Sequence, residues 1–320
     1  MKIHIVGAGA IGGLFAGLLT EGGVDVTLID KRQSRCDLLN KRGWTIQTSE
    51  GKRNVKVNIV SYPLKTEPPD LVVIAVKSFD TEKAVKGVAH ILSEDTAVVT
   101  IQNGLGNIEK IQSLVKANRI LGGVTMQAST LIKLGEVFHA ADGLTYFGDL
   151  SGEVTPELDE IKRTFGRAGI RLEVSRNITE LMWSKLLANA SINPLTALMG
   201  IKNSGLLNRR WLTHVMTEVI SEGVNVAKAK GIKLSIRKTV QDATSIAKLT
   251  GSNKSSMLQD IEKRKRTEID TINGAIAMIG KEVHVKTPVN SLLTRLVREV
   301  EGGELRSSVK EKAATLLKSI

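Results

Sequence analysis

Lys185, Asn189 and Asn193 recur at every fourth position of "ELMWSKLLANASINPLTALMG", residues 180–200, a segment that otherwise has the composition of a buried helix. Residues four apart share one face of an α-helix, so these side chains form a stripe about 12 Å long at roughly 1.5 Å of rise per residue. An ammonium followed by two neutral amides suits a reaction that builds negative charge on an oxygen. The ammonium stabilises that charge and delivers a proton, and the amides fix geometry without adding competing charge. On these residues alone a plainer role stays open. Lysine stems lie along apolar surface with the charge in water, and asparagines cap neighbouring loops.

A second pattern stands at the N-terminus. Gly7-x-Gly9-x-x-Gly12 follows the strand-like "KIHIV" and opens an apolar helix, and Asp30 closes the next strand, "DVTLID". This is the order of a dinucleotide-binding unit. The first glycine allows the tight turn, the second lets backbone approach a pyrophosphate, and the third lets helix pack on strand. The first helical amides, from Ala10 and Ile11 onward, meet the phosphates together with the positive end of the helix dipole. An acidic residue at Asp30 ordinarily takes the ribose hydroxyls of NAD, whereas Lys31 and Arg32 beside it suit the 2′-phosphate of NADP. Both cofactors stay open, with NADP favoured; Asp30 can equally cap the helix that follows.

Other polar residues are candidates by position. Lys77 ends "LVVIAVK" and Asn103 ends "VVTIQNG", and ligands of open parallel sheets lie beyond the carboxyl ends of the strands. Asn253, Ser255 and Ser256 precede a short helix, where capping is the plain role. Glu268 and Asp270 sit in "RTEIDTIN"; Asp270 has arginines near it to pair with, and an exposed surface is the default for a glutamate. His4, His90, His139, His214 and His284 show no metal-ligand spacing and Cys36 is the sole cysteine, so no metal site is expected.

These residues need a scaffold. In "KIHIV", "DVTLID", "DLVVIAVK" and "AVVTIQNG" the near-continuous apolar runs are those of buried parallel strands. "WTIQT" and "VKVNIV" flank "SEGKRN" as a hairpin, and alternation in "MQASTLIKLGEVFHAA" and "LTYFG" predicts antiparallel pairs at the far side of the sheet. "TPELDEIKRTFGRAG" is a helix and "IRLEVS" a last strand. Thereafter only helical patterns occur, among them "WLTHVMTEVISEGVNVAKAKG", "RKTVQDATSIAKLT", "TEIDTINGAIAMIGKE" and "NSLLTRLVREVEGG". The expected fold is α/β: a Rossmann-type dinucleotide-binding domain over residues 1–176, then an all-helical substrate-binding domain over residues 177–320. Glu268 would project from the first turn of its helix, where the dipole favours a carboxylate.

The 320 residues, 42% hydrophobic and 24% charged, are ordinary for a globular protein of two domains. One cysteine excludes an intramolecular disulfide and suits a cytoplasmic location. No apolar run reaches the roughly eighteen residues of a membrane span. The formal charge of +12 raises the question of nucleic acid, but the basic residues are spread along the chain. Their densest run, "EKRKRTE", is flanked by glutamates, and aromatic residues for base stacking are scarce. The charge reads as solvated surface with local capture of anions. Neither nucleic acid nor membrane is expected as a partner, and a homodimer is compatible with the sequence without being required by it.

Taken together, "GAGAIGG", "AVKSFDTEKAV", "TIQNGLGNIE", "MWSKLLANASINPLTAL", "NKSSMLQDI" and "RTEIDTING" resemble the ketopantoate reductase family along essentially the whole chain. The resemblance implies a Rossmann domain, a helical domain and an active site in the cleft between them. It implies NAD(P)H-dependent reduction of 2-dehydropantoate, a small 2-oxo acid, to (R)-pantoate on the route to pantothenate and coenzyme A. It makes Lys185 the general acid, Asn189 a substrate contact or a guide for that lysine, and Asn193 part of the same wall. Asn103 and Lys77 would line the nicotinamide side. Asn253 and Ser256 would bind substrate, with Ser256 at its carboxylate, and Glu268 would bond its hydroxyl. The family usually takes NADPH through a basic residue after the second strand, and Asp30 departs from that pattern. Another branched 2-oxo acid is the alternative substrate, and a nicotinamide-sensing regulator of nucleic acid is the alternative from another class.

Overall fold

The computed structural model describes residues 1–63, 67–115, 119–301 and 307–320. The chain forms two compact units. One is Met1–Gln102 with Asn107–Thr179, and the other is Asn103–Gly106 with Glu180–Ile320. The division thus falls a few residues beyond 176, and a short loop from inside the first unit's sequence groups with the second.

The first unit runs β1 (Lys2–Val6), α1 (Ala10–Glu21), β2 (Asp25–Ile29), α2 (Gln33–Arg42), β3 (Trp44–Gln47), β4 (Lys52–Val55), β5 (Asn58–Val60), β6 (Leu71–Ile74) and α3 (Thr81–Val88). It continues with β7 (Ala97–Thr100), α4 (Asn107–Leu114), β8 (Arg119–Thr125), β9 (Ala128–Lys133), β10 (Glu136–Ala141), β11 (Thr145–Asp149), α5 (Pro156–Arg167) and β12 (Leu172–Val174). Its eight-stranded sheet has the order β12-β11-β8-β7-β6-β1-β2-β5. Every neighbouring pair is parallel except β8 with β11. Successive residues of each strand serve opposite faces. Ile5, Leu28 and Val73 join a core with Phe15 of α1 and Phe165 of α5. Val6, Ile29 and Ile74 join a second core with Val85 and Val88 of α3 and Ile111 of α4. Burial on both faces explains the unbroken apolar runs. The central β1 lies between β6 and β2, so the chain reverses direction across the sheet there. Such a reversal opens a crevice at the carboxyl ends of the strands.

A smaller sheet has the order β4-β3-β10-β9, with β3–β4 and β9–β10 antiparallel and β3–β10 parallel. The hairpin forms, but its second strand is Lys52–Val55, of which the sequence pattern assigned Lys52, Arg53 and Asn54 to the turn. Asn58–Val60 leaves to pair with β2 at the edge of the large sheet. The apolar run "VKVNIV" therefore serves two sheets, and the strand with exposed side chains was hidden by its polarity. Likewise β9 and β10 pair with each other away from the large sheet, whose one antiparallel junction joins β11 to β8.

The second unit is helical: α6 (Ile178–Met199), α7 (Arg210–Ala229), α8 (Ile236–Leu249), α9 (Ser256–Glu262), α10 (Asn273–Glu282), α11 (Pro288–Val300) and α12 (Ser307–Lys318). Its core gathers Leu187, Leu195 and Leu198 of α6 with Val215, Val219 and Ile220 of α7 and Leu293 and Val297 of α11. The predicted helix over "TEIDTINGAIAMIGKE" begins only at Asn273; Thr267–Ile272 form turns ahead of it. Glu268 is therefore not in a first helical turn. The end of the "NSLLTRLVREVEGG" pattern, Gly302 and Gly303, lies outside the described residues. Among the described residues, no helix is long and apolar enough to cross a membrane.

Candidate active site

In the first unit the glycine turn links β1 to α1. Gly7 has φ +119°, and a β-carbon there would come within 2.9 Å of the Ala75 and Val76 backbone. A β-carbon on Gly12 would lie 2.1 Å from the Gly7 carbonyl oxygen, so helix and turn approach as only glycine permits. Gly9 caps α1 without a side-chain hydrogen bond, and a β-carbon there would meet nothing within 4 Å. The amides of Ala10, Ile11 and Gly12 thus begin a twelve-residue helix, with open space beside the Gly9 cap that precedes it. A pyrophosphate fits such an arrangement through backbone donors and the helix dipole.

At the end of β2, Asp30 is 6% exposed and committed locally. Its Oδ1 accepts from the Arg32 amide at 3.1 Å, and its Oδ2 pairs with the Arg35 guanidinium at 3.2 Å. The carboxylate therefore ties down the entry to α2. Lys31 is exposed and pairs with Asp80 at 3.1 Å, while Arg32 is exposed beside it. Lys77 stands beyond β6, which ends at Ile74; it is half-buried and precedes the single turn Ser78–Asp80.

In the second unit α6 carries Lys185, Asn189 and Asn193, and the helix is continuous through all of them. Lys185 is half-buried as a residue, yet desolvation pushes its ammonium down from 10.5 to about 8. The charge of Glu268 opposes the shift by favouring the protonated form. Asn189 is half-buried and Asn193 almost wholly buried.

The two acids of "TEIDT" have parted. Asp270 turns to Arg266 at 3.1 Å and to Arg298 at 2.7 Å. Glu268 is 6% exposed and accepts from Asn103 Nδ2 at 3.4 Å. The turn around it is pinned by the Thr271 and Ile272 amides, which both donate to the Glu268 carbonyl at 3.1 Å. Thr267 donates through its amide and hydroxyl to Glu301. The loop of Asn103 is anchored there too, with the Leu105 amide donating to the Thr271 carbonyl at 2.9 Å. Asn103 is thus bonded to Glu268 within the second unit.

In "NKSSM" the buried serine is Ser255, which caps α9 by accepting from the Leu258 amide at 3.1 Å. Its hydroxyl also lies 2.7 Å from Thr196 Oγ1 of α6. Ser256 and Asn253 are exposed. The Asn253 carbonyl accepts from the Asn203 amide at 3.1 Å, fixing the loop.

Sequence reasoning missed a buried polar group formed by Glu222, Asn273 and Asn290. Glu222 accepts from the Val289 amide at 2.8 Å, the Asn290 amide at 3.0 Å and Asn290 Nδ2 at 2.7 Å. Asn273 Nδ2 donates at 3.0 Å both to Asn290 Oδ1 and to the Ala190 carbonyl. The one signal in the sequence was a charge on the apolar face of "VISEGVNV", because an unpaired carboxylate there would be costly.

A Rossmann-type sheet with a glycine turn, followed by a helical unit with a lysine–carboxylate site, defines a two-domain nicotinamide-dependent oxidoreductase. Residues 3–152 match the family model described as ketopantoate reductase PanE/ApbA, and residues 177–301 match its C-terminal counterpart. The chain belongs to the ketopantoate reductase family. It is 39% identical over 302 residues to the 2-dehydropantoate 2-reductase of Pyrococcus horikoshii, covering 94% of this chain and 98% of that one. To that of Archaeoglobus fulgidus it is 36% identical, with 94% and 98% covered. Among solved structures, a D-mandelate dehydrogenase with NADH and anilino(oxo)acetate is similar with TM-score 0.89 and 28% identity, covering 94% of this chain and 98% of that one. A ketopantoate reductase of Ralstonia eutropha has TM-score 0.84 and 29% identity, with 98% and 100% covered.

Proposed function

We infer that this protein is an NAD(P)H-dependent 2-dehydropantoate 2-reductase, forming (R)-pantoate for pantothenate and coenzyme A biosynthesis. The observation that carries the reading is the helical unit's desolvated lysine, whose protonated form the charge of the buried Glu268 favours, both within motifs that resemble the family's. Residues 1–176 are then the cofactor domain and residues 177–320 the substrate domain. Gly7, Gly9 and Gly12 with the amides of Ala10 and Ile11 hold the pyrophosphate, and Lys77 attends the nicotinamide half.

When bound, the reduced nicotinamide supplies the hydride for the substrate's keto carbon. As charge grows on the keto oxygen, the Lys185 ammonium bonds it and then donates a proton. At about 8, against an ordinary 10.5, its acidity is closer to what proton transfer near neutrality requires, and it still keeps its proton at pH 7. Glu268 accepts from the substrate hydroxyl and keeps Lys185 protonated. Asn103 orients Glu268, and Asn189 and Asn193 flank the reacting group. Asn253 and the exposed Ser256 take the carboxylate.

NADPH is the preferred cofactor in this reading. The commitment of Asp30 to Arg32 and Arg35 withdraws the carboxylate that would repel a 2′-phosphate. Lys31 is held by an exposed ion pair, worth at most about 1 kcal/mol and readily exchanged for a phosphate. A cytoplasmic location is part of the same reading.

A second substrate reading, another branched or aromatic 2-oxo acid, is favoured by the likeness to D-mandelate dehydrogenase. The test is steady-state reduction of a panel of 2-oxo acids with NADPH and NADH in parallel. 2-Dehydropantoate with NADPH is expected to give the highest kcat/KM; a higher value for benzoylformate would overturn the substrate assignment.

A further inference from the structure

Pro194 lies inside α6, two turns beyond Lys185. Proline has no amide hydrogen, so position 194 cannot donate the regular helical bond to the carbonyl four residues earlier, that of Ala190. That carbonyl is not abandoned: Asn273 Nδ2, from the first residue of α10, donates to it at 3.0 Å. The same Nδ2 donates to Asn290 Oδ1 at 3.0 Å. Asn290 Nδ2 in turn donates to Glu222 at 2.7 Å and to the Val219 carbonyl at 3.2 Å. Each amide nitrogen faces only acceptors, so neither side chain can be reversed without losing both bonds. Glu222 is itself fixed by the first amides of α11. Donation therefore runs outward from α10, to the gap in α6 on one side and through Asn290 of α11 to Glu222 and Val219 of α7 on the other.

Ala190 directly follows Asn189 and lies between Lys185 and Asn193 on the helix. Asn273 is wholly buried, and its Oδ1 has no partner among the described residues. The side chain's two hydrogen bonds are both donated by its nitrogen.

We propose that Asn273 is a positioning residue that replaces the missing Pro194 amide at the Ala190 carbonyl and so holds Lys185, Asn189 and Asn193 in their working orientation. The role rests on the reading of Lys185 as the general acid, but the bond it names can be tested independently of that reading.

The test is a double-mutant cycle of Asn273→Ala and Pro194→Ala. Alanine at 194 restores an amide that bonds Ala190 within the helix, which makes Asn273 dispensable at that carbonyl. Loss of the Asn290 contact is common to both backgrounds and cancels. In the Pro194 background, Asn273→Ala is expected to lower kcat for 2-dehydropantoate roughly 10-fold to 100-fold, the scale of a misplaced catalytic group. The Kd for NADPH, read by fluorescence, should stay unchanged. In the Pro194→Ala background most of the kcat loss should disappear. An equal loss in both backgrounds, or no loss in the first, overturns the proposal. Melting temperatures of the four proteins provide a second readout. If Asn273→Ala alone fails to fold, a folded double mutant supports the bond and an unfolded one overturns it. If the unmutated protein does not reduce 2-dehydropantoate, the reductase reading fails, and the Tm cycle still decides whether Asn273 replaces the Pro194 amide.

Discussion

In the proposed reaction the glycine turn of the first unit and the α6 stripe of the second both prepare a place for negative charge, by opposite means. At the turn the donors are backbone amides at the start of α1, and side chains matter chiefly by being absent: Gly7 and Gly12 leave no room for a β-carbon. On α6 the donors are side chains, and their properties depend on what surrounds them. Lys185 is displaced to about 8 by desolvation and partly restored by Glu268. A backbone site is set by chain geometry and keeps the same polarity at any pH near neutrality. A side-chain site can be tuned, and a single neutral substitution can detune it.

Lys185→Ala tests the tuned site most severely. Turnover should fall roughly 10²-fold to 10⁴-fold, the usual scale for a positioned acid. NADPH affinity should hardly change, because the turn proposed to hold the pyrophosphate is untouched. Near-normal turnover would remove the contrast between the two regions altogether.

Glu268→Gln comes next. A lost charged acceptor costs roughly 1.5–3 kcal/mol, or about 10-fold to 150-fold in kcat/KM. With a 2-oxo acid that lacks the hydroxyl the loss should shrink, since no donor is then left unpaired. Melting temperature should move little, because backbone bonds of the Glu268 carbonyl hold the turn and glutamine keeps an acceptor for Asn103. The same loss on both substrates, or a large fall in Tm, would make Glu268 a structural residue.

The same division explains what could be read from the sequence. The glycine turn was legible because its constraint is local: three glycines between a strand and a helix act on the backbone within a few residues of one another. The α6 stripe was legible because helical spacing alone puts its members on one face. Glu268 was expected in the first turn of a helix that begins only at Asn273, since the apolar periodicity of Ile269, Ile272 and Ile276 continues through turns that precede α10. Glu222, Asn273 and Asn290 could not be linked, because their bonds join α7, α10 and α11, and sequence spacing carries no information about such contacts. The strand Lys52–Val55 was missed for the converse reason: its exposed side chains leave no apolar alternation to detect.

Cofactor selection is the next largest expected effect, and it tests whether the first unit also relies on side chains. Replacing Lys31 and Arg32 together by neutral residues should weaken NADPH about 10-fold or more relative to NADH, on the scale of a charge-assisted contact. Asp30→Ala should leave the NADPH preference in place, because the carboxylate is engaged with Arg32 and Arg35. Michaelis constants for both cofactors on each variant decide the matter. A selective loss of NADH in Asp30→Ala would mean that Asp30 holds the ribose and that NAD is the natural cofactor.

The smallest expected effect is a shift in a pH profile, and it bears most directly on how the lysine site is tuned. A general acid works in its protonated form, so kcat/KM should fall as pH rises through the Lys185 value of about 8. The substrate carboxylate is ionised throughout that range and contributes no limb of its own. Glu268 raises the Lys185 value by favouring the charged ammonium, whereas desolvation lowers it. Glu268→Gln removes the opposing charge and leaves the desolvation, so the alkaline limb should move to lower pH. The direction distinguishes this cause from simple loss of a substrate contact, which would scale the whole profile down without moving it. Profiles of kcat/KM for the two proteins, measured from the acid plateau through the alkaline limb, provide the comparison. A limb that stays in place or moves upward in the mutant would show that the carboxylate does not act on the Lys185 ammonium during turnover.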